Sequence, residues 1–177
     1  MNSPDFFRPG WVAPKNTSVS VDDLRVRICM MDRTDIQRVL EIEEEAFPLF
    51  PWTKDEFDRM LLDETVQSAV AIESAEIIGY LIYDFRKEIE KAADYIELLN
   101  IAVDIGHRGK HVGSKMVEFL VDRCKSYPDS LIALSVRVGN EQARGFFEKN
   151  GFEETEEEPD KFGSLSNENA VRVERIV

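Results

Sequence analysis

Two short, largely apolar segments, Val66 to Ile72 and Ile77 to Phe85, flank a polar turn at Ser74 to Glu76. Short runs rich in β-branched and aromatic residues and bounded by a turn predict strands, and so short a turn joins them as an antiparallel hairpin. Helical periodicities lie both before and after this hairpin. The sheet must therefore be mixed and covered by helices, which excludes an all-parallel arrangement.

The rest of the chain extends that frame to the order β-α-α-β-β-β-α-β-α-β-β. From Leu24 the alternation Val26, Ile28, Met30 predicts a strand, and Ile36, Val39 and Leu40 mark the core face of a helix ending near Ala46. Prolines 48 and 51 of "FPLFPW" break that helix. A second helix starts after Thr53, where "TKDE" is a capping box closed by Glu56. Tyr95 to Val103 predicts a further strand, and Val112, Met116, Leu120 and Cys124, widened by Val117 and Val121, form the stripe of a third helix. Leu131 to Val138 reads as a strand, and Asn140 to Lys149 as a helix closed by Asn150 and Gly151. Phe152 to Glu156 and Ala170 to Ile176 are the last strands, with a mobile acidic loop expected between them. Residues 1–20, rich in Pro, Ser and Asn without periodicity, read as a flexible arm, leaving 21–177 as one domain.

Charge narrows the partners. With 35 acidic against 22 basic residues and a formal net charge of -13, the chain is unsuited to sequence-independent nucleic-acid binding and better suited to cationic partners. No segment has the roughly 18 apolar residues that span a bilayer, and the amino terminus lacks a signal-peptide pattern, so a cytoplasmic location is expected. Cys29 and Cys124 are expected to be buried, reduced thiols.

The most particular stretch is "NIAVDIGHRGKHVGSKM", Asn100 to Met116, where a strand gives way to a helix. A helix start presents unpaired N–H groups and partial positive charge, glycines let a phosphate come close, and Arg108 and Lys110 add full charges. The loop thus suits a pyrophosphate. It lacks both the Walker spacing and the G-x-G-x-x-G of dinucleotide folds. His107 and His111, four residues apart near Asp104, raise the question of a metal, but no third nitrogen or sulfur ligand is close in sequence and none is expected to bind.

Taken together, "RGKHVG" at Arg108 to Gly113, "FPLFPWTKDEF", "LLNIAVD" and "NEQARGFFEKNGF" resemble the GNAT acyl-CoA N-acyltransferase superfamily, and within it the RimI-like amino-terminal acetyltransferases. The resemblance runs from about Val26 to Val173 and implies the α/β GNAT fold, a mostly antiparallel mixed sheet flanked by helices. It implies acetyl-CoA as acyl donor, its pyrophosphate held by Arg108, Gly109, Lys110, His111, Val112, Gly113 and Ser114. The strand residues Ile101, Ala102 and Val103 lie along the acyl arm, with Asn140 and Phe147 beside the coenzyme. His111 stands where the family normally has glycine. With a helical φ it would be harmless; with a positive φ it is expected to distort the loop and weaken coenzyme binding.

Acyl transfer needs a neutral amine. A terminal α-amine with pKa about 7.7–8.0 is partly neutral at pH 7, whereas lysine near 10.4 must shift by about 3 units, roughly 4 kcal/mol. Glu97 resembles the fourth-strand glutamate that many GNAT enzymes use as base, and a strand of Tyr, Ile and Leu would partly desolvate it. A backbone N–H near Ile101 or Ala102 would hold the oxyanion. Two positions depart from the RimI-like pattern: Ser135 replaces a catalytic glutamate, and Phe147 replaces the tyrosine that protonates the leaving thiolate. "FPLFPW" and "EETEEEPDKFG" correspond to segments that shape the acceptor groove, and the acidic one would attract a cationic amine. The expected activity is direct acetyl transfer from acetyl-CoA to a primary amine of a protein or peptide, by a monomer or homodimer. The rivals are a non-catalytic acyl-CoA-binding module and an acetyltransferase of small amines.

Overall fold

The computed structural model describes residues 26–88, 93–125, 130–161 and 169–177; the expected arm at 1–20 lies outside them. Strands β1 (Arg27–Met30), β2 (Val66–Glu73), β3 (Glu76–Glu88), β4 (Ala93–Val103), β5 (Leu131–Arg137), β6 (Glu153–Glu158) and β7 (Ala170–Ile176) form one sheet in the order β1-β2-β3-β4-β5-β7-β6. Every neighbouring pair is antiparallel except β4 with β5. The β2–β3 turn consists of Ser74 (φ 50°) and Ala75 (φ 69°), both left-handed, as a two-residue hairpin turn requires.

Helices α1 (Ile36–Ala46) and α2 (Lys54–Met60) cover one face, and α3 (Val112–Cys124) and α4 (Glu141–Lys149) the other. Val39, Ile42 and Phe57 pack with Tyr80, Ile82 and Ala102 on the first face. Met116, Leu120 and Phe147 pack with Leu81, Ile96, Ile132 and Val173 on the second. The capping box at the start of α2 is formed in full, with the Thr53 side chain accepting from Glu56 N–H and Glu56 accepting from Thr53 N–H.

Element order and type follow the sequence pattern, with two differences. β6 runs on to Glu158 because β7 offers a pairing edge, so Glu157 and Glu158 belong to a strand and not to the expected acidic loop. Cys124 is fully buried, its thiol pushed up to about 12 by burial, whereas Cys29, on the edge strand β1, is only half-buried.

Candidate active site

β4 and β5 pair only at Tyr95↔Leu131, Ile96↔Ile132 and Glu97↔Ala133. Beyond that step both strands continue, to Val103 and Arg137, without a ladder between them. The sheet therefore opens at the carboxyl ends of two parallel strands, where α/β folds admit ligands. Asp104 N–H donates to Ile78 O on β3 at 2.9 Å. Because backbone groups alternate along a strand, Ala102 also turns its N–H toward β3, while Ile101 and Val103 turn theirs into the opening. Of the two amides considered for the oxyanion, this leaves Ile101.

The loop that follows carries the chain to α3. Gly109 has φ +74° and His111, the N-cap of α3, has φ 59° and ψ 12°. Position 111 thus does adopt the left-handed conformation that favours glycine, yet the loop keeps that geometry with a histidine, and α3 starts at the next residue. Held in that region, a residue with a Cβ costs about 1–2 kcal/mol, and no side-chain hydrogen bond from His111 to the helix offsets it. The first bond of the helix runs from Lys115 N–H to His111 O at 3.1 Å, so the amides of Val112, Gly113 and Ser114 precede it and face the loop. Arg108 donates to Val103 O at 3.1 Å, folding the loop over the end of β4; Arg108, Gly109, Lys110 and His111 are all exposed. Gly113 lies against Phe146, whose ring would be 3.0 Å from an added Cβ.

A network below the loop fixes its entry. Asp104 accepts from Gly106 N–H at 2.9 Å, contacts His107 Nδ1 at 2.9 Å and pairs with Arg38 of α1 at 2.5 Å, while His107 Nε2 lies 3.5 Å from Glu73. The His107 contact, joined by Arg38 and Gly106, outweighs burial and holds the Asp104 carboxyl below its ordinary pKa. Among the described residues no group of three His, Cys, Asp or Glu side chains is placed to hold a metal ion.

Glu97 is half-buried and lies between Ile96 and Leu98, which face α3; its side chain is therefore on the α1–α2 face. It is directly opposite Asp84 of β3, a buried carboxylate that the sequence reading passed over inside a strand. The same face carries Glu43, only 1% exposed. Glu43 accepts from Trp52 N–H at 2.7 Å, from the Tyr80 hydroxyl, and from Asn100 Nδ2 at 3.4 Å. Burial raises its pKa against these three bonds, and burial together with the Glu43 charge raises that of Tyr80, so Tyr80 is the donor. Glu43 had a signal in the sequence: it is three, four and seven residues beyond Leu40, Val39 and Ile36, on the apolar stripe of α1.

On the other wall of the opening, Ser135 of β5 donates its hydroxyl to Glu158 at 2.5 Å. Arg137, near the end of the same strand, lies 5.6 Å from the ring of Phe50, which joins β5 to the loop between α1 and α2. In that loop Leu49 and Phe50 are 82% and 60% exposed. Asn140 caps α4 by accepting from Ala143 N–H at 3.1 Å, which brings a second helix start to the carboxyl end of β5. Phe147 sits in the core, edge-on to Phe146 and Phe152.

An opened parallel pair of strands with a helix start and a basic loop at its end suits a phosphate-bearing acyl donor. The Acetyltransferase (GNAT) family model matches residues 36–152 of this chain. The chain belongs to the GNAT acetyltransferase family. Its likeness is to the RimI-like branch: over 120 residues it is 32% identical to a Bacillus subtilis (strain 168) protein named as a candidate ribosomal protein bS18-alanine N-acetyltransferase, spanning 67% of this chain and 75% of that one. Among solved structures, the ribosomal-protein-S18-alanine N-acetyltransferase of Escherichia coli superposes with a TM-score of 0.73 at 22% identity, over 86% of this chain and 94% of that one. Arabidopsis thaliana Naa50, in complex with the bisubstrate analogue CoA-Ac-MVNAL, superposes with a TM-score of 0.69 at 19% identity, over 85% and 97%. As a GNAT enzyme, the protein is an acetyl-CoA-dependent N-acetyltransferase acting on a primary amine. The non-catalytic module suggested by His111, Ser135 and Phe147 is set aside. No helix among the described residues is long and apolar enough to cross a membrane.

Proposed function

We propose that the acceptor is the amino-terminal α-amine of a protein or peptide. The observation that carries this reading is the 32% identity to the Bacillus subtilis protein, whose name specifies N-acetylation of an alanine of ribosomal protein bS18. The site's chemistry supports it: an α-amine with pKa about 7.7–8.0 is partly neutral at pH 7 and asks little of a base. Exposed Leu49 and Phe50 next to the opening offer apolar contact to the first side chains of a peptide.

In this reading the coenzyme's pyrophosphate binds the amides of Val112 to Ser114 with Arg108 and Lys110 beside it, and its acyl arm lies between β4 and β5. Ile101 N–H receives the charge that develops on the thioester oxygen, and Glu97 takes the amine proton, directly or through water. The nitrogen attacks without a covalent enzyme intermediate. Phe147, without a hydroxyl, plays no part in protonating the thiolate; a thiol with pKa near about 8.5 can leave unprotonated and collect a proton from water. We place the enzyme in the cytoplasm, where reduced thiols such as Cys29 and Cys124, neither in a disulfide, persist, as a monomer or homodimer without a nucleic-acid partner. The test is to offer acetyl-CoA and a peptide carrying both a free α-amine and a lysine, then locate the acetyl group by tandem mass spectrometry. Acetyl on the α-nitrogen supports the reading; acetyl on the lysine side chain alone refutes it.

A further inference from the structure

β5 reads "LIALSVR", and Ser135 is its one hydroxyl. Ser135 lies two residues beyond Ala133, the last residue paired to β4, on the same face as Glu97 and roughly 7 Å further along its own strand. It is half-buried, on the wall of the opening that faces β4. Its hydroxyl donates to Glu158 Oε2 at 2.5 Å, while Lys161 Nζ holds the other oxygen, Oε1, at 2.7 Å. Glu158 ends β6, two strands away across β7, and reaches Ser135 diagonally: Ser135 is level with Arg172, and Arg172 with Glu156. Within β6, "EETEEE", every residue before Glu158 is exposed and Glu158 alone turns partly inward. A carboxylate drawn out of a solvated run to meet the one hydroxyl of β5, between Leu134 and Val136, is more than a charged face. An apolar residue at 135 would pack there without needing Glu158 at all.

We propose that Ser135 and Glu158 form a proton relay for the acceptor amine, working from the β5 wall opposite Glu97. Glu97 takes the first proton, from the ammonium; as the neutral amine nitrogen then forms its bond to the acyl carbon, the second N–H proton passes to Ser135 Oγ while the proton of Ser135 passes to Glu158 Oε2. The carbon–sulfur bond breaks with its electron pair on the coenzyme sulfur, and Glu158 later releases its proton to water. Burial works to raise the Glu158 carboxyl, but Lys161 and Ser135, with the charge of Arg172, outweigh it and keep the group ionised at neutral pH and able to accept. The relay rests on the reading that the amine enters the opening beside Glu97.

The experiment measures steady-state acetyl transfer to a peptide, with acetyl-CoA binding followed by calorimetry, for S135A, E158Q, S135A/E158Q and S135E/E158Q. E97Q is assayed beside them. The relay predicts that kcat falls about 100-fold in each single variant and no further in S135A/E158Q, with acetyl-CoA affinity unchanged. It also predicts that S135E/E158Q, which puts a carboxylate on β5 itself, recovers about 10-fold over S135A/E158Q, a gain that a merely structural Ser135–Glu158 contact would not give. Wild-type turnover of E158Q alongside a loss in E97Q overturns the relay alone. Wild-type turnover of both overturns it together with the placement of the amine.

Discussion

Replacing His111 by glycine isolates the energetic consequence of a histidine at the start of α3. The residue sits at φ 59°, ψ 12°, and its imidazole makes no hydrogen bond to the helix it caps. Glycine removes about 1 kcal/mol of left-handed strain, at the low end of the usual range because histidine tolerates this region better than most residues. It returns about 0.5 kcal/mol through the greater freedom of the unfolded chain. His111→Gly should therefore stabilise the fold by about 0.5 kcal/mol, raising Tm by about 1–2 °C in a chain of this size. His111→Ala keeps the Cβ and its strain without the imidazole, so the expected order of stability is Gly above His, and His at or above Ala. Urea unfolding of the three proteins, with a common slope, measures the order directly. If His111→Gly is less stable than His111→Ala, residue 111 is not held at positive φ and the reasoning fails. On the proposed coenzyme site, where the backbone amides of Val112, Gly113 and Ser114 are the donors, acetyl-CoA affinity should be the same in all three.

Arg108 ties the loop to Val103 O and, in the proposed coenzyme site, also brings charge to the phosphates. Arg108→Ala should weaken acetyl-CoA binding about 5–10-fold, and the loss should shrink as salt rises; a salt-independent loss would mean that only the loop tie matters. Asp104, whose folded carboxyl is held below its ordinary value, contributes stability that is complete above its unfolded pKa of about 3.9 and disappears as pH falls through the lower folded value. Asp104→Asn should thus be less stable than wild type by a constant margin from pH 5 to 8, and urea midpoints should show that margin closing below about pH 4. A margin that did not shrink at all as pH fell from 5 through the acid range would assign the effect to something other than ionisation.

The strands and helices were legible from their apolar patterns, and the cap at Thr53 because capping chemistry is local. The site was legible only where backbone supplies it. "RGKHVG" announces a helix start, but the sign of φ at His111 depends on how the loop closes over β4, which no residue type dictates. Charge runs concealed the rest. Glu158 stands in "EETEEE" and reads as part of an acidic loop until the fold pairs it with Ser135, while Glu43, in "EIEEEA", was passed over although it lies on the apolar stripe that the fold buries under Tyr80. Asp84 was missed for a different reason: its neighbourhood, opposite Glu97, exists only once β3 and β4 are in register. Phe147, assigned by pattern to a place beside the coenzyme, also packs in the core between Phe146 and Phe152, a contact its position on the apolar face of α4 allows.

The central claim is that the amine is deprotonated at the opening of β4 from β5 by Glu97. Single-turnover acetyl transfer by Glu97→Gln at saturating acetyl-CoA tests it most directly, with calorimetry to show that the coenzyme still binds. The account predicts unchanged coenzyme affinity and a rate lowered about 100-fold or more. A wild-type rate with the coenzyme bound would show that Glu97 is a bystander on the strand and that the base lies elsewhere.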